Sequence, residues 1–303
     1  MQPVINYIKR PSSLIDALVK HFGQWLPDSI YIKLRYYLNL GKKLNLKNPI
    51  TFQEKLQWLK LYDQNPLYTK LADKILVKDY VANAIGSEYV IPLLGVWERP
   101  EDIDWDTLPN KFVLKTNHSG GNTGVIICKD KNSFDKNQAI IKLNSSLNDD
   151  IYKSLREWPY KNIKKRIFAE SFVESPEGSD DLPDYKFFCF NGEVKALFVA
   201  TDRQKEGEDV KFDFFDADYN HLPFKQGHEN ASILPPKPKS FEEMKHIAEV
   251  LSQGIPHVRV DLYEVNGHPI FGEFTFCHFG AMVPFQPEEW DYKFGEWLIL
   301  PTN

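Results

Sequence analysis

Cysteine is scarce in this sequence and is never closely paired. The three cysteines, at positions 128, 189 and 277 of 303, are odd in number and form no Cys-x-x-Cys motif. Such widely spaced cysteines are typical of proteins from a reducing compartment, and they exclude a zinc site built from thiolates. An excess of basic residues is also missing, since the formal net charge is -5. Nucleic-acid binding, which needs a basic face, is therefore excluded.

Long apolar runs and a targeting segment are missing too. No stretch approaches the ~18 consecutive apolar residues of a membrane span, and the first residues lack the basic–apolar–small order of a signal peptide. We therefore expect a cytoplasmic protein. The chain does contain 42% hydrophobic and 14% aromatic residues, which argues against disorder and suffices for a core in two or three subdomains.

Helical periodicity dominates the chain to about Tyr68. Residues 13–19 and 52–61 repeat apolar side chains at helical spacing, and Thr51 with Glu54 forms a capping-box pattern before the second helix. The same reasoning predicts further helices over 67–84, 136–155 and 241–253.

Short apolar runs separated by Pro, Gly and Asp predict strands in the rest of the chain. They lie at 112–115, 125–128, 166–170, 185–190, 194–200, 257–263 and 270–276. Asn191-Gly192 and Asn266-Gly267 are hairpin signals, each between two such runs. The polar, Pro-containing stretch 204–238 is expected to be mainly loops. The sequence thus predicts an α+β fold with mainly antiparallel strands and a helical N-terminal extension.

A glycine-rich segment, 117–124, lies between two predicted strands. P-loops and dinucleotide-binding loops lie between a strand and a helix and have other glycine patterns. A glycine loop between two strands predicts a mobile lid whose backbone amides can reach phosphates. An ordinary flexible hairpin turn is the alternative.

The last predicted hairpin collects charged and hydroxyl side chains on one face. Because side chains alternate along a strand, Arg259 and Asp261 share a face of its first strand, and Glu273 and Thr275 share a face of its second. Two carboxylates with a hydroxyl oxygen suit Mg²⁺. The alternative is a solvated face with an Arg259–Asp261 ion pair.

The turn of this hairpin decides whether the two carboxylates converge. A two-residue Asn266-Gly267 turn would pair Asp261 with Gly272 and put Asp261 and Glu273 on opposite faces. A three-residue turn with Gly267 as a left-handed bulge would put them on one face, diagonal to each other. The magnesium interpretation therefore predicts a bulged turn at Gly267.

Several short motifs follow one another along about residues 25–303. They are Thr51-Phe52-x-Glu54, Asp73-Lys74 with Lys78, Phe112-Val113-Leu114-Lys115 with the glycine loop, Arg156-Glu157-Trp158, Ile167 to Val173, Asp184-Tyr185-Lys186, Arg259-x-Asp261, Glu273-x-Thr275 and Pro287-Glu288-Glu289-Trp290. This ordered set resembles the ATP-grasp enzymes. It is similar in particular to the TupA-like ATP-grasp family, which is named for a teichuronopeptide biosynthesis protein.

The resemblance implies ATP and Mg²⁺ as cofactors and a role for each motif. The implied ATP-binding residues are Lys78, Lys115, His118, Ser119, Gly120, Gly121, Glu170, Phe172, Val173 and Asp184. Of these, the lysines would meet phosphates, Glu170 and Val173 the adenine, and Asp184 the ribose. The implied catalytic residues are Lys186, Arg203 and Arg259. The implied magnesium ligands are Asp261, Glu273 and Thr275, the last of which departs from the asparagine common in the superfamily.

Each assignment also has an ordinary structural interpretation. These interpretations are surface lysines at Lys74, Lys78 and Lys115, a turn cap at Asp184, a solvated strand end at Glu170, an exposed ion pair at Arg203 and a plain loop residue at His118. Cys277 and His278 are not expected to form a metal pair, because neighbouring side chains of a strand point in opposite directions.

The activity that the resemblance implies is ATP-dependent carboxylate–amine ligation. Transfer of the γ-phosphoryl group makes an acyl phosphate, which an amine attacks to form an amide. The family name implies a surface-glycan setting, with an amino acid and a uronic-acid carboxyl group of a polysaccharide or its precursor as substrates. The implied parts are a helical region (1–68), a small subdomain with the glycine lid (69–169) and a large subdomain with the magnesium carboxylates (170–303).

Two other classes of function stay open. Asp102-x-Asp104, Asp104-x-Asp106 and Asp216-x-Asp218 match the short metal motif of glycosyltransferases, a pattern that is common by chance. A nucleotide-sugar-dependent glycosyltransferase of polysaccharide biosynthesis is therefore one alternative. A non-catalytic ATP-binding module of the same fold is the other.

A weak peripheral membrane contact is a separate hypothesis. Residues 31–43 combine three tyrosines with four basic residues, and aromatic rings with basic stems suit the membrane–water interface. The alternative is that Ile32, Leu34 and Leu38 pack this helix onto the protein.

Overall fold

Two antiparallel sheets form the framework of the protein, in a computed structural model that describes residues 11–121, 123–174, 182–202 and 209–302. The strands in these ranges are β1 (Leu93–Trp97), β2 (Phe112–Thr116), β3 (Ile126–Cys128), β4 (Ile167–Ser171), β5 (Asp184–Phe190), β6 (Glu193–Thr201), β7 (Lys211–Asp216), β8 (His221–Leu222), β9 (Lys225–Gln226), β10 (Val258–Val265), β11 (His268–Thr275) and β12 (Phe285–Gln286). One sheet has the order β1-β4-β2-β3, the larger has the order β11-β10-β5-β6-β7-β8, and β9 pairs with β12. All ladders between these strands are antiparallel.

Helices flank both sheets and fill the N-terminal part. Their bounds are α1 (Pro11–Phe22), α2 (Asp28–Leu40), α3 (Phe52–Tyr62), α4 (Pro66–Ala72), α5 (Leu76–Ile85), α6 (Lys136–Asn148), α7 (Ile151–Leu155), α8 (Phe241–Leu251) and α9 (Glu289–Trp297). The Thr51 hydroxyl accepts from the Glu54 amide, and the Glu54 carboxylate accepts from the Thr51 amide, both at 3.3 Å. The capping box, the helical N-terminal region and the α+β class are thus confirmed.

Two helices predicted as continuous are each broken by an aspartate. Asp73 Oδ1 accepts from the Ile75 amide at 2.9 Å, which separates α4 from α5. Asp150 Oδ1 accepts from the Lys153 amide at 2.9 Å, which starts α7 after α6 has ended. Both single-helix predictions were wrong because an aspartate side chain can bind backbone amides that would otherwise continue the helix.

The six-stranded sheet separates two apolar cores. On one face, Phe187 and Val260 pack with the apolar side of α8. On the other, Phe188 and Phe198 pack with Phe294 of α9 and with apolar residues of α3. Charged residues of β5, β10 and β11 lie on this second face, so the candidate site adjoins a phenylalanine-rich core. The three-part division of the chain stays a prediction.

Strand β7 lies in the stretch that was predicted to be loops. It pairs with β6, and both Phe212 and Phe214 are buried. Asp213 between them is also buried, and its carboxylate accepts from the Ala231 amide at 3.1 Å. The strand was missed because a charged residue in the middle of an apolar run indicates a loop, whereas here the aspartate is buried and hydrogen-bonded.

Residues 31–43 form only part of the aromatic and basic surface that the membrane hypothesis used, since Lys33, Tyr37, Lys42 and Lys43 are exposed and the other three residues are buried. Tyr31 and Tyr36 are 0% and 2% exposed. Arg35 is also buried; its guanidinium donates twice to Asp16 at 2.7 Å. The Tyr31 hydroxyl donates to the Ser154 carbonyl at 3.0 Å. These side chains hold α2 on the protein. Among the described residues, no helix has the length and apolarity needed to cross a bilayer.

Candidate active site

The turn of the β10–β11 hairpin differs from the predicted one. Val265 pairs with His268, so the loop is a two-residue Asn266-Gly267 turn with φ angles of 53° and 78°. Two consecutive left-handed residues define a type I′ turn, which Asn-Gly favours. The predicted bulge at Gly267 is therefore wrong.

A bulge elsewhere in the hairpin makes the two carboxylates converge. The ladder shifts at Gly272, so Asp261 pairs with Glu273. A Cβ atom at position 272 would lie 3.1 Å from the Asp261 carbonyl oxygen and 3.1 Å from Tyr263 Cε2, which favours glycine at this close approach. Directly opposed residues share a face. Asp261 and Glu273 therefore lie on one face as predicted, but opposite rather than diagonal to each other.

Two cations contact Asp261. Arg259 Nε and Nη2 donate to its two carboxylate oxygens at 2.7 Å each. Lys186 lies opposite it on β5 and forms an ion pair with it, and the same ammonium is 2.6 Å from Asp184 Oδ2. Asp184 and Asp261 are both 1% exposed. The Arg259–Asp261 pair thus exists, but on a buried face rather than a solvated one.

Arg259 also connects Thr275 to a histidine that follows the hairpin. Its Nη2 donates to Thr275 Oγ1 at 2.9 Å, and its Nη1 lies 2.6 Å from His278 Nδ1. Because a guanidinium can only donate, His278 Nδ1 accepts and the ring proton sits on Nε2. Burial is the main cause that lowers the pKa of His278 well below its usual range, and the positive charge of Arg259 is the second. The imidazole is therefore neutral and orients Arg259.

Lys74 joins the carboxylate hairpin to the glycine loop. Its Nζ lies 3.0 Å from Glu273 Oε2 and donates to the Ser119 carbonyl at 2.7 Å. The break between α4 and α5 places it there, because Asp73 binds Asn117 Nδ2 at 2.9 Å. The motif Asp73-Lys74 was recognised in the sequence without a role for the lysine.

The cations around the hairpin act differently on its two carboxylates. Burial tends to raise the pKa of Glu273, but Lys74, Lys186 and Arg259 outweigh it and lower this pKa to about 2. Burial raises the pKa of Asp261, and Arg259 and Lys186 oppose that shift. Glu273 therefore keeps its negative charge near neutral pH.

The glycine loop is anchored at both ends. Ser119 Oγ lies 2.5 Å from Thr116 Oγ1 and 2.8 Å from Ser146 Oγ on α6. A Cβ atom at Gly124, whose φ is +74°, would meet Ser146 Oγ at 2.2 Å. Asn117 is fully buried. The predicted mobility over all of 117–124 does not fit these contacts, since only the tip is exposed.

His118 lies in the anchored part of the loop, whereas Gly120 and Gly121 lie at the exposed tip. His118 is 3% exposed, and burial, followed by the charge of Lys165, lowers its pKa. A protonated imidazole is therefore disfavoured at this position. The two glycines keep their backbone amides accessible for a phosphate.

Two lysines meet Glu170 on the four-stranded sheet. Lys78 Nζ lies 2.9 Å from Glu170 Oε2, and Lys115 forms an ion pair with the other oxygen. Lys78 also donates to the Ile91 carbonyl at 2.7 Å. The Lys78 side chain is 12% exposed and that of Glu170 is 5% exposed. The surface-lysine interpretation of Lys78 and the solvated-end interpretation of Glu170 are therefore wrong.

A cleft of about 580 Å³ begins where β4 ends. Phe172, Val173, Ile91 and Ile270 are among its lining residues. Ile270 pairs with Tyr263, which in turn pairs with Asp184 on β5. Directly opposed residues share a face, so the cleft adjoins the face of the sheet that carries the carboxylates.

Some candidate residues from the sequence analysis are not part of this site, and one of them lies outside the described residues. Arg203 lies outside the described residues, so its predicted role stays a prediction. Asp216 Oδ1 accepts from the Asp218 amide at 2.9 Å, and Asp104 Oδ1 accepts from the Asp106 amide at 3.2 Å. Asp102 pairs with Arg99 at 2.6 Å on the surface. These Asp-x-Asp motifs therefore stabilise turns and exposed loops.

Sequence reasoning missed a buried pair of ionisable residues near Arg259. Glu157 and Lys60 are each 4% exposed. Lys60 Nζ donates to the Gly280 carbonyl at 2.7 Å, which holds the segment that carries His278. Burial raises the pKa of Glu157 to about 7, and Lys60 and Arg259 oppose the shift. Glu157 belonged to a recognised motif, but its burial depends on tertiary contacts.

The sequence matches the family model described as TupA-like ATP-grasp over residues 54–299. Among proteins with curated descriptions, none is significantly similar to this chain in sequence.

Three solved structures illustrate the structural comparison. D-alanine–D-alanine ligase from Bacillus anthracis with ATP is 14% identical, with a TM-score of 0.38, over 68% of this chain and 53% of that chain. D-alanine–D-alanine ligase from Helicobacter pylori is 14% identical, with a TM-score of 0.43, over 82% of this chain and 69% of that chain. L-amino acid ligase from Bacillus licheniformis is 13% identical, with a TM-score of 0.45, over 83% of this chain and 56% of that chain. The chain thus spans little more than half of two of these structures.

Proposed function

We propose, from the premise that this chain belongs to the TupA-like ATP-grasp family, that it is an ATP-dependent carboxylate–amine ligase acting through an acyl phosphate. The observation that carries the proposal is the pairing of Asp261 with Glu273 on a buried face, with Lys74 connecting Glu273 to the glycine loop. This arrangement puts carboxylates, cations and accessible loop amides around one place. Phosphoryl transfer needs such positioning and charge neutralisation more than it needs covalent chemistry by the protein.

The donor set fits Mg²⁺. Among the described residues, no group of three or more His, Cys, Asp or Glu side chains is placed to hold a metal ion. Mg²⁺ needs fewer, since one or two carboxylates with phosphates and waters suffice. Asp261 and Glu273 would hold the ion, and the Thr275 hydroxyl adds a hard oxygen next to Arg259. When bound, the ion would supply positive charge to the phosphate oxygens.

The protein's own cations would neutralise the rest of the phosphate charge. Lys115 and Lys78 form ion pairs with Glu170 near the end of β4, and Lys186 forms ion pairs with Asp184 and Asp261. We assign Lys115 and Lys78 to the phosphates and Lys186 and Arg259 to the transferring group. The exposed glycines of the loop would then cover the phosphates and exclude water, which would hydrolyse an acyl phosphate.

The cleft at the end of β4 suits the adenine. It is lined by apolar side chains, among them Phe172, Val173 and Ile270, and apolar walls with a few polar groups are typical of small-molecule sites. Asp184 at the start of β5 would meet the ribose, and the Glu170 segment would meet the adenine amino group. These assignments support ATP rather than a nucleotide sugar, since the Asp-x-Asp motifs lie in turns and loops.

The reaction that we propose has two steps. A substrate carboxylate oxygen attacks the γ-phosphorus, the bond from the γ-phosphorus to the bridging oxygen breaks, and ADP leaves. The amine then attacks the acyl carbon, inorganic phosphate leaves, and the amine loses a proton as the amide forms. We further propose that the amine is an amino acid and that the carboxylate belongs to a uronic acid of a surface polysaccharide or its precursor. These two substrates are supported by the family alone.

Trapping of the acyl phosphate tests this proposal. The full chain with ATP and Mg²⁺ should release ADP only when a suitable uronic acid is present, and hydroxylamine should convert the intermediate to a hydroxamate. Amino acids should then increase amide formation. Turnover of nucleotide sugars without ATP would instead indicate a glycosyltransferase. ATP binding without ADP release, across acids and amines, would indicate a non-catalytic module.

A further inference from the structure

Glu157 is a buried carboxylate without a hydrogen-bond donor. It is 4% exposed, and no described residue donates a hydrogen bond to its side chain or forms an ion pair with it. Lys60 and Arg259 act on it only through their charges. A buried carboxylate normally has donors or a paired cation, because removing its charge from water costs free energy. An unpaired one is therefore typical of a site that binds a ligand.

Solvent still reaches the carboxylate of Glu157. Within the described ranges, its oxygens are not among the unpaired side-chain atoms that solvent cannot reach. The same holds for the Tyr160 hydroxyl, which also has no hydrogen bond to a described residue. The two residues belong to one turn, in which the Tyr160 amide donates to the Glu157 carbonyl at 3.1 Å. Two side-chain oxygens of this turn are thus open to a ligand that donates hydrogen bonds.

This turn lies at the end of the strand that carries the proposed magnesium ligands. A Cβ atom at Gly280, in the loop that follows β11, would lie 3.7 Å from Glu157 Oε1. Tyr160 packs against the apolar cluster that contains Phe276, the first residue after β11. Burial raises the pKa of Tyr160, and the charges of Glu157 and Glu273 raise it further. Tyr160 is therefore close to both the unpaired carboxylate and the carboxylate hairpin.

The loop after β11 has a strained backbone. Phe279, Gly280 and Ala281 have φ angles of 51°, 60° and 54°, and this left-handed conformation is unfavourable for residues that carry a side chain. The Gly280 and Ala281 carbonyls accept hydrogen bonds from Gln57 Nε2 at 3.2 and 2.9 Å. Such strain is concentrated at functional sites, and here it accompanies the close approach of the loop to Glu157.

We propose, on the basis of the ligase activity proposed above, that Glu157 and the Tyr160 hydroxyl bind the ammonium group of the amine substrate. An ammonium group has three donors and a positive charge, which complement an unpaired carboxylate and an unpaired hydroxyl. The amine is the one substrate of the proposed reaction that carries positive charge, since ATP and the carboxylate substrate are anions. The position beside the carboxylate hairpin puts the amine next to the acyl phosphate.

Glu157 also converts the bound ammonium to the neutral amine that attacks. One N–H bond breaks, its proton passes to the Glu157 carboxylate, and the electron pair left on nitrogen attacks the acyl carbon. The second proton leaves with the inorganic phosphate as the amide forms. Burial raises the pKa of Glu157 to about 7 against the charges of Lys60 and Arg259. The carboxyl group can therefore hold that proton near neutral pH.

A comparison of two nucleophiles tests this proposal. The full chain is given ATP, Mg²⁺ and glucuronic acid, with either hydroxylamine or the common amino acid that gives the most amide. Hydroxylamine is mainly uncharged near neutral pH, so its attack does not need a carboxylate that binds ammonium. Glu157→Gln keeps the size of the side chain and should raise the KM for the amino acid by about tenfold or more, and that for hydroxylamine much less. Tyr160→Phe should raise the KM for the amino acid by about threefold.

Glu296→Gln is the matched control for these variants. Glu296 is exposed on α9, so its replacement should change neither KM, and circular dichroism should show every variant folded. Equal changes of both KM values in Glu157→Gln, or no change in either, would overturn the proposal. A changed Mg²⁺ requirement with an unaltered KM for the amino acid would also overturn it and assign Glu157 to a cation site. If the unaltered chain forms neither amide nor hydroxamate, the ligase activity itself is overturned, and the amine site with it.

Discussion

Glu273 is the side chain on which the proposed chemistry depends most directly. It lies opposite Asp261 and contacts Lys74. Glu273→Gln keeps the size of the side chain and removes its charge. We expect the rate of ADP release to fall by about 100-fold or more, because a proposed magnesium ligand is weakened. Steady-state kinetics at several Mg²⁺ concentrations would measure this.

Glu264→Gln is the matched control for that substitution. Glu264 lies on β10 of the same hairpin and is partly exposed. Its ADP release should stay near that of the unaltered chain, and circular dichroism should show both variants folded. Full activity of Glu273→Gln would exclude Glu273 as a ligand of the required metal.

Glu157 should make the stability of the protein fall as the pH rises. Burial raises the pKa of Glu157 to about 7 from 4.5. The folded state therefore favours the protonated acid. Its contribution to stability is complete below pH 4.5 and is lost as the pH rises through about 7. Glu157→Gln should thus gain stability relative to the unaltered chain between pH 5 and pH 8, by at most about 3 kcal/mol.

Chemical denaturation at pH 5 and at pH 8 would measure the gain in stability of Glu157→Gln. Glu296 is exposed on α9, so Glu296→Gln serves as the control and should show no difference between the two pH values. A Glu157→Gln variant that loses equal stability at both pH values would contradict a protonated, buried Glu157.

The glycine loop should respond to nucleotide at its tip alone. Asn117 and Ser119 are buried and hydrogen-bonded at its base, whereas Gly120, Gly121 and Thr123 are exposed. Few contacts give a segment low local stability. ATP with Mg²⁺ should therefore slow hydrogen exchange of these three amides and leave the base unchanged. Equal exchange of the tip with and without ATP would argue against a lid.

The breaks between helices place functional groups that continuous helices could not. Asp73 ends α4 and also binds Asn117 at the base of the glycine loop. Lys74 follows at once and reaches both Ser119 and Glu273. One short break thus connects the glycine loop with the carboxylate hairpin.

Arg156 connects the N-terminal helices to the rest of the molecule. It is 3% exposed, lies 2.9 Å from Asp28 and donates to the Gln24 carbonyl at 2.6 Å, and its guanidinium lies 4.2 Å from the centre of the Tyr31 ring. Arg156→Ala should lower the free energy of unfolding by about 2–3 kcal/mol, because it removes a buried guanidinium together with its hydrogen bonds and its packing on the Tyr31 ring. Urea denaturation would measure the loss.

Lys153 on α7 gives the control for Arg156. Its side chain is 61% exposed, and Lys153→Ala should change the free energy of unfolding by less than about 0.5 kcal/mol. If Arg156→Ala is as stable as this control, the buried arginine does not hold the N-terminal helices in place.

Local chemistry in the sequence determined much of this protein. Thr51 and Glu54 start a helix through neighbouring amides, and Asn266-Gly267 makes a turn because both residues tolerate positive φ. Alternation along β10 and β11 put Asp261 and Glu273 among the candidates. The ordered motifs gave the family, since residue types and order are properties of the chain alone.

Tertiary structure alone decided how those parts meet. The sequence could not place the bulge at Gly272, because the shift depends on the close approach of Asp261 and Tyr263 on the partner strand. It gave no role to Lys74, whose two contacts lie 45 and 199 positions away. The membrane hypothesis also placed Tyr31 and Arg35 on the surface, whereas both are buried, because burial depends on which elements pack together. Local patterns fix the turns and periodicity of a chain, whereas long-range packing fixes the charges that face one another.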